Sequence, residues 1–559
     1  MKQSTLFIAL GLSALTMVSC SKKQAEFSSS FFTTNPTPLA TVGHNVPADI
    51  NGRIPAKFMV KNAKVTATPV LVWADGEKAG SPVVFQGENV RANGQVVPQT
   101  GGSVMIPFNV EYQPEMETST LYLDFAVDQN GKLYNLPRVN VGYGVVATST
   151  LASPATVQPA VAKDNFQKII TERYSADIHF LINQANVRAN QTDKADYIDL
   201  NKQLLAANAA PNKEIAGVSV SSYASPEGSL SFNTQLAERR EKSTNALVEN
   251  QLKKDKITEF GELTSSFTPE DWEGFRTLVE KSNIQDKELI LSVLSMYNDP
   301  EEREREIRNL SSVFNELADQ ILPQLRYSRI QATINVIGKS DQELINLFDT
   351  DPQKLTVDEI LYVATLTDDN TKKMQVYKKA SEIYPEDYRT FNNLGMTQYA
   401  AGDYASARAN FDRAARLNPQ SKEVDMNKGL LAMIDGDYRK ANELLGSAAG
   451  VPENRDALGV YYLSTGELGK ANVAFGDAKT NNAALAQILS KDYNAARNTL
   501  AAIATPDATT YYLTAVLGAR TNNESMVLSN LRQAVKLDSS LLTRARKDLE
   551  FANYNLTSL

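Results

Sequence analysis

In the first third of the chain, apolar and polar residues alternate. Between Pro36 and Thr150 the runs "KFMVKNAKVTATPVLVW", "SPVVFQGENV", "GSVMIPFNVEY" and "STLYLDFAVDQNGKLYNLPRVNVGYGVV" carry the two-residue period of half-buried strands. Asn130-Gly131 lies between two such runs, the composition of a two-residue hairpin turn. Several short strands at this spacing predict an antiparallel β-sandwich over residues 36–150, with Trp73 and Tyr143 assigned to its core. The Pro/Ala-rich stretch "STLASPATVQPAVAKDN" predicts a linker, residues 151–164. The period then switches back and forth. Ile178, Phe180 and Ile182 alternate, "DYIDLNKQLLAAN" reads as a helix, "EIAGVSVSSYA" as a strand, "LAERREKSTNALVENQLKK" as a charged helix, and "YSRIQATINVIG" as a last strand. That order predicts an α/β sandwich over 165–338. A helical insertion is expected at about 257–325. In "FTPEDWEGF", Thr268 is placed as N-cap with Pro269 at the first helical position, and "NDPEEREREIRNL" repeats the device with Asp299 and Pro300. The run "EEREREIR" reads as a solvated, ion-paired helix face.

Beyond Thr356 alternation fades and Ala-rich helical periodicity takes over. In "YRTFNNLGMTQYAAGDYASARANFDRAARLNP", Leu394-Gly395, Ala407, Phe411, Ala414 and Pro419 stand at intervals that recur. Gly429, Ala441 and Ala448 follow Gly395, Ala407 and Ala414 by 34 positions. Gly459, Ala471, Phe475 and Ala478 form a third copy after a step of 30. "GDY" at Gly402 and Gly436 closes the turn between paired helices, and "GEL" at Gly466 is a looser version. This spacing resembles the tetratricopeptide repeat, in which small residues let two helices cross closely. Five or six units are expected over 342–555, stacked as an all-α solenoid. By repeat register the concave face carries Asn392, Met396, Tyr399, Leu430, Met433, Val460 and Leu463. That surface is largely apolar, suited to an extended or helical protein segment, and some of these residues could equally pack against a neighbouring domain.

Composition narrows the chemistry. The 559 residues are 42% apolar, enough for several cores, with a mild net charge of −8. No basic tract or aromatic-interleaved Lys/Arg patch points to nucleic acid. Two histidines, His44 and His179, and one cysteine leave little for a metal site or for Ser-His-Asp and Cys-His catalysis. No cofactor is expected. The cysteine has another explanation. "MKQSTLFIALGLSALTMVSC" joins a Lys, an apolar run and small residues before Cys20, and "MVSC" resembles the lipobox of bacterial lipoproteins. The resemblance implies removal of residues 1–19 and acylation of Cys20, with a membrane anchor as the consequence. Residues 20–35, "CSKKQAEFSSSFFTTN", read as a polar, Ser-rich tether. They lack the acidic run that resembles a surface-export signal, so the periplasmic face of an outer membrane is the expected location.

The stretch "YASPEGSLSFNTQLAERR" follows a strand and enters a helix. Together with "DIHFLINQANVR" it resembles the OmpA-like domain that binds peptidoglycan, across roughly residues 165–338. Tyr223, Ala224, Gly228, Asn233, Leu236 and Arg240 fit the family spacing, and the insertion resembles a Bacteroidetes branch. In that family an Arg fork holds the carboxylate of the stem peptide's diamino acid while an Asp holds its ammonium. The resemblance therefore makes Tyr223, Ser225, Glu227, Asn233 and Arg240 candidates for stem-peptide binding. Ser225 stands where the family has Asp, and Glu227 is the nearby acidic residue.

Two functions are open at this point, neither enzymatic. One is a lipid-anchored periplasmic protein that binds peptidoglycan and scaffolds an envelope protein through its repeats. The other is a docking or assembly platform for fimbrial or secreted proteins whose OmpA-like domain has lost wall binding.

Overall fold

The structure, a computed structural model, describes residues 22–284, 286–309, 311–557 and 559. Residues 1–19 and the acylation candidate Cys20 lie outside that range. Two compact units divide the chain. One joins the N-terminal residues up to Lys163 with Thr367–Leu559, and the other is Asp164–Leu366.

The first unit opens with a two-sheet β-domain. Phe32–Asn35, Asn45–Ile54 and Gly102–Glu111 form an antiparallel three-stranded sheet. Lys132–Tyr143, Ser119–Gln129, Ala63–Trp73 and Val83–Gln86 form the second, extended by the short strands Gly76–Ala79 and Gln95–Val96. Alternation along the strands becomes two inner faces: Val46, Ala48, Ile50, Val104, Ile106 and Phe108 from one sheet, Leu121, Leu123, Phe125 and Val127 from the other. Asn130 (φ 54°) and Gly131 (φ 79°) both adopt the left-handed conformation, which the two-residue hairpin requires. Trp73 is half-buried against the core, but Tyr143 ends its strand at an outward position and is exposed.

The expected tether differs. Phe27 is buried, its ring stacked on Phe125 at 4.3 Å, and Gln24 is buried with bonds to Gln129, Tyr134, Phe58 and Val60. The two phenylalanines of "AEFSSSFF" that become buried, Phe27 and Phe32, find places in the sandwich core, and the apolar area they remove from water outweighs the freedom of a Ser-rich segment.

The helical part of this unit runs Asn370–Ile383, then five hairpins: Tyr388–Ala400 with Tyr404–Leu417, Lys422–Ile434 with Tyr438–Ser447, Asn454–Ser464 with Leu468–Phe475, Asn481–Leu489 with Tyr493–Ala501, and Ala508–Arg520 with Glu524–Leu537. A short helix, Leu541–Lys547, follows. Most second helices begin at an acidic or amide cap: Asp403, Asp437, Asp492 and Asn523 accept from the amides of Ser406, Lys440, Ala495 and Met526. Residues 342–366, joined to the repeats by sequence, belong instead to the other unit. There the helices Asp341–Thr350 and Val357–Val363 are tied to its strands by Lys339–Glu359 (2.7 Å) and by the Phe166–Tyr362 ring contact (4.5 Å).

The second unit holds a four-stranded mixed sheet in the order Ile169–His179, Tyr327–Ile337, Lys213–Tyr223, Glu262–Thr268. The first three are antiparallel neighbours, and Glu262–Thr268 runs parallel to Lys213–Tyr223. The helices Ala195–Ala209 and Leu230–Lys254 cover one face through Leu200, Leu204, Val248 and Leu252. Glu262–Thr268 was expected inside a helical insertion. Its polar "ELTSSFT" carries little apolar periodicity because it is an exposed edge strand. Thr268 therefore ends a strand, and the N-cap of the next helix is Asp271, accepting from the Gly274 amide at 2.8 Å. Asp299 does accept from the Glu302 amide ahead of the helix Pro300–Asn309 (2.9 Å).

Candidate functional site

The strand Lys213–Tyr223 delivers the chain into the Ser-Pro-Glu-Gly turn, and the helix Leu230–Lys254 carries Asn233 and Arg240 away from it. Arg240 has 0% exposure. Its Nε donates to the Gln184 carbonyl (3.0 Å), Nη1 to Tyr223 (2.8 Å) and Nη2 to Leu181 (3.3 Å), and the guanidinium lies 5.0 Å over the Phe180 ring. Burial, with Arg326 nearby, pushes its pKa down to about 10, so it remains charged at neutral pH. The expected ligand fork thus braces its own unit's backbone, at the turn holding Leu181 and Gln184 and at the end of the strand Lys213–Tyr223.

The rest of the turn is equally self-contained. Ser225 is buried and donates to Glu227 Oε1 (2.9 Å). Glu227 receives a two-pronged grip from Arg326, Nε at 3.0 Å and Nη2 at 2.9 Å. Arg308 of the insertion reaches the Glu227 carbonyl, and also pairs with Glu304. Asn233, buried, donates to the Gly228 carbonyl (2.9 Å) and to Glu270 (3.4 Å). Tyr223 stacks on Tyr327 at 4.7 Å. Pro226, Trp272, Ile307 and Phe314 close around a void of only about 10 Å³. The five residues named by sequence lie around one turn, but only Ser225 with Glu227 and Arg240 with the Tyr223 carbonyl meet each other, and the rest are held by neighbours such as Arg326, Glu270 and Tyr327. Sequence could not show this, because Arg326 lies 99 positions from Glu227.

His179 donates its backbone amide to Gln191 (2.9 Å), and burial lowers its imidazole pKa. Among the described residues no group of three or more His, Cys, Asp or Glu could hold a metal ion.

A second site was hidden in the expected linker. Residues 148–163 run along the inner face of the helical hairpins, in the direction opposite to hairpin order. Thr148 bonds Glu550 (2.5 Å) and Arg544 bonds Thr150 (3.2 Å) at the C-terminal end. Ser153 meets Asn482, Ala160 meets Asn427, and Ala162 meets Asn393, progressively nearer the first hairpin. Each asparagine grips one residue by both backbone groups. The Asn427 amide oxygen accepts from the Ala160 N–H (2.7 Å) while its nitrogen donates to the Ala160 carbonyl (2.8 Å). Asn393 does the same to Ala162 (2.8 and 2.9 Å), and Asn482 to Ser153 (3.0 and 3.0 Å). Asn392 adds a donor to Ala160 (3.1 Å), and the Tyr399 hydroxyl donates to the Pro154 carbonyl (2.8 Å).

The face predicted to be concave is therefore covered. Leu430, Met433, Val460 and Leu463 sit in one core cluster with Val157 and Ala160 of the segment, Asn392 and Tyr399 are buried, and Met396 is half-buried. Asn393, Asn427 and Asn482 were missed by sequence reasoning. The signal was present: Asn393 and Asn427 each stand two positions before the small residues Gly395 and Gly429, and Asn482 stands two before Ala484, its counterpart.

A family model described as tetratricopeptide repeat matches residues 388–421, which spans the first hairpin. No curated protein matches the chain. Solved structures that are similar include the APC/C hetero-tetramer Cut9-Hcn1, at 18% identity and TM-score 0.33, covering 37% of this chain and 46% of that one. The chain thus spans under half the length of that structure. A tetratricopeptide repeat protein from Parabacteroides merdae ATCC 43184 is 12% identical, TM-score 0.29, covering 38% of this chain and 91% of that one. Pseudomonas aeruginosa pilF is 15% identical, TM-score 0.29, covering 38% and 99%. The family match places a tetratricopeptide repeat in the C-terminal run of helices, an architecture that points to protein–protein interaction.

Proposed function

We propose that this chain is a non-catalytic docking platform of the bacterial envelope, anchored by lipid at Cys20, whose middle unit has the OmpA-like plan without its wall-binding function. The observation that carries the choice is Arg240. Its guanidinium is fully buried on three carbonyls of its own unit, so a diamino-acid carboxylate has no fork to meet. Ser225 cannot replace the family's Asp as an ammonium partner, and Glu227 is neutralised by Arg326. Peptidoglycan binding is accordingly left out of this reading, although the sequence pointed to it. The repeats supply the holding surface, built to grip protein backbone. No helix among the described residues is long and apolar enough to cross a membrane, so the anchor in this reading is the acylated cysteine.

Sedimentation with purified sacculi tests the middle unit. The full chain is expected to stay in the supernatant at physiological salt, and retention that free diaminopimelate competes away would overturn the reading. Metabolic labelling with a palmitate analogue tests the anchor: label is expected on the chain and absent from Cys20→Ala.

A further inference from the structure

The inner face of the repeats treats residues 153–163 as a ligand rather than as ordinary chain. The asparagine amides bond this segment at backbone N–H and C=O, and Asn482 also donates to the Thr156 hydroxyl (3.0 Å). Backbone is common to all sequences, so a ladder of this kind fixes an extended conformation and leaves selection to side-chain space. That space is legible. Ala160 (0% exposed) and Ala162 (1%) lie flat against the asparagines, where a larger group would separate the amide pairs. Val161 between them is 40% exposed and points away. Val157 is buried in the repeat core. The site reads apolar-x-x-small-x-small over the uncharged stretch Val157–Ala162, which follows a single 3-10 turn, Pro154–Thr156. It needs no free terminus, because the gripped amides are all mid-chain.

We propose that this groove is a peptide-binding site held shut by a tethered pseudo-ligand, and that a partner's extended segment of the same form enters when residues 153–163 leave. This rests on the docking-platform reading and names both its ligand class and its control. The control follows from tethering. A segment joined covalently to both units meets the groove at an effective concentration of roughly millimolar, so a free competitor of equal intrinsic affinity is excluded until the segment is loosened. The groove also pays for leaving empty: Asn392, Asn393, Asn427 and Asn482 are buried polar groups that need a backbone partner, native or foreign.

The probe is a fluorescein-labelled peptide of residues 153–163, titrated by anisotropy into the full chain. Ala160→Glu with Ala162→Glu ejects the native segment without altering a groove residue. The double variant is expected to bind the peptide at least 100-fold more tightly than the unaltered chain, and adding Asn393→Leu with Asn427→Leu abolishes that gain. Equal binding by the unaltered chain removes the gating, and no binding by a folded double variant overturns the site. Should the double variant fail to fold, hydrogen exchange of the unaltered chain decides. The Ala160 and Ala162 amides are expected to exchange by a local opening well before the core amides of the second hairpin. Exchange of all of them only through global unfolding overturns the proposal. Sacculus sedimentation is indifferent to each of these results, so failure here is distinguishable from failure of the platform reading.

Discussion

Arg240 stands at the spacing expected of a ligand-binding arginine and binds its own unit's backbone. A guanidinium offers five donors in a fixed fork, and here three reach carbonyls of two chain segments, the turn at Leu181 and Gln184 and the strand end at Tyr223. Removing it takes a charge-assisted donor from each of those carbonyls, at about 1.5–3 kcal/mol for a bond to a charged group. Arg240→Ala is therefore expected to destabilise the second unit by about 3 kcal/mol or more in denaturant unfolding. A surface arginine kept for a ligand would move stability by about 0.5 kcal/mol or less. Asp548 makes a second, pH-dependent case. Its carboxylate accepts from the Tyr512 hydroxyl (2.7 Å) and the Glu550 amide (3.0 Å), and burial raises its pKa above the ordinary value. A carboxyl that holds its proton more tightly when folded lowers stability as pH rises from its unfolded value toward and through the raised one. Asp548→Asn keeps an acceptor oxygen and removes the charge. It should melt higher than the unaltered chain near pH 7.5, with the difference shrinking toward pH 4.

Among the helical hairpins, the close crossing of paired helices is the feature that tolerates least. A Cβ on Gly395 would stand 2.7 Å from the Phe411 ring, and on Gly459 2.5 Å from the Phe475 ring. Gly395→Ala forces the ring or the helix to shift, at about 1–3 kcal/mol by thermal unfolding. The turns are less demanding of composition than the repeat signature suggests. Gly402 (φ 78°) and Gly436 (φ 77°) take the left-handed conformation, but Lys491 (φ 64°) and Asn522 (φ 54°) hold the corresponding place in the fourth and fifth hairpins. The turn geometry is thus kept in the later hairpins without the glycine that marks it in the earlier ones. The sandwich shows the opposite balance. Its long strands Ala63–Trp73, Gly102–Glu111 and Ser119–Gln129 were legible because burial alternates along each, whereas the strand Glu262–Thr268 was not, since an edge exposed on both faces has no apolar period to display.

Taken as a chain, the molecule returns on itself. The N-terminal domain and the repeats form one unit although Asp164–Leu366 separates them in sequence. They are joined by the asparagine ladder, by the Tyr438 hydroxyl bonded to His44 Nε2, and by Thr148 and Arg520 sharing Glu550. Those contacts do not depend on the covalent link at Lys163–Asp164. Cleavage at a protease site inserted between Asp164 and Asn165 is expected to give two bands on a denaturing gel and a single peak by size exclusion. Two separated peaks would show that the link, not the ladder, holds the halves together.

The sequence by itself determined what is local or periodic: the alternation that makes the sandwich, three of the four strands of the middle unit and the two helices that cover them, the small residues at helix crossings, and the repeat register that puts Asn392, Tyr399 and Leu430 on an inner face. Only the tertiary structure decided who meets whom. It took Arg240 from a ligand site into the backbone, gave Glu227 to Arg326, docked Gln24 and Phe27 on the sandwich, and laid an Ala/Pro linker along the repeats. Such pairings depend on buried surface and on amide partners brought together across hundreds of residues. A linear pattern records which residues prefer burial, but not which neighbour will bury them.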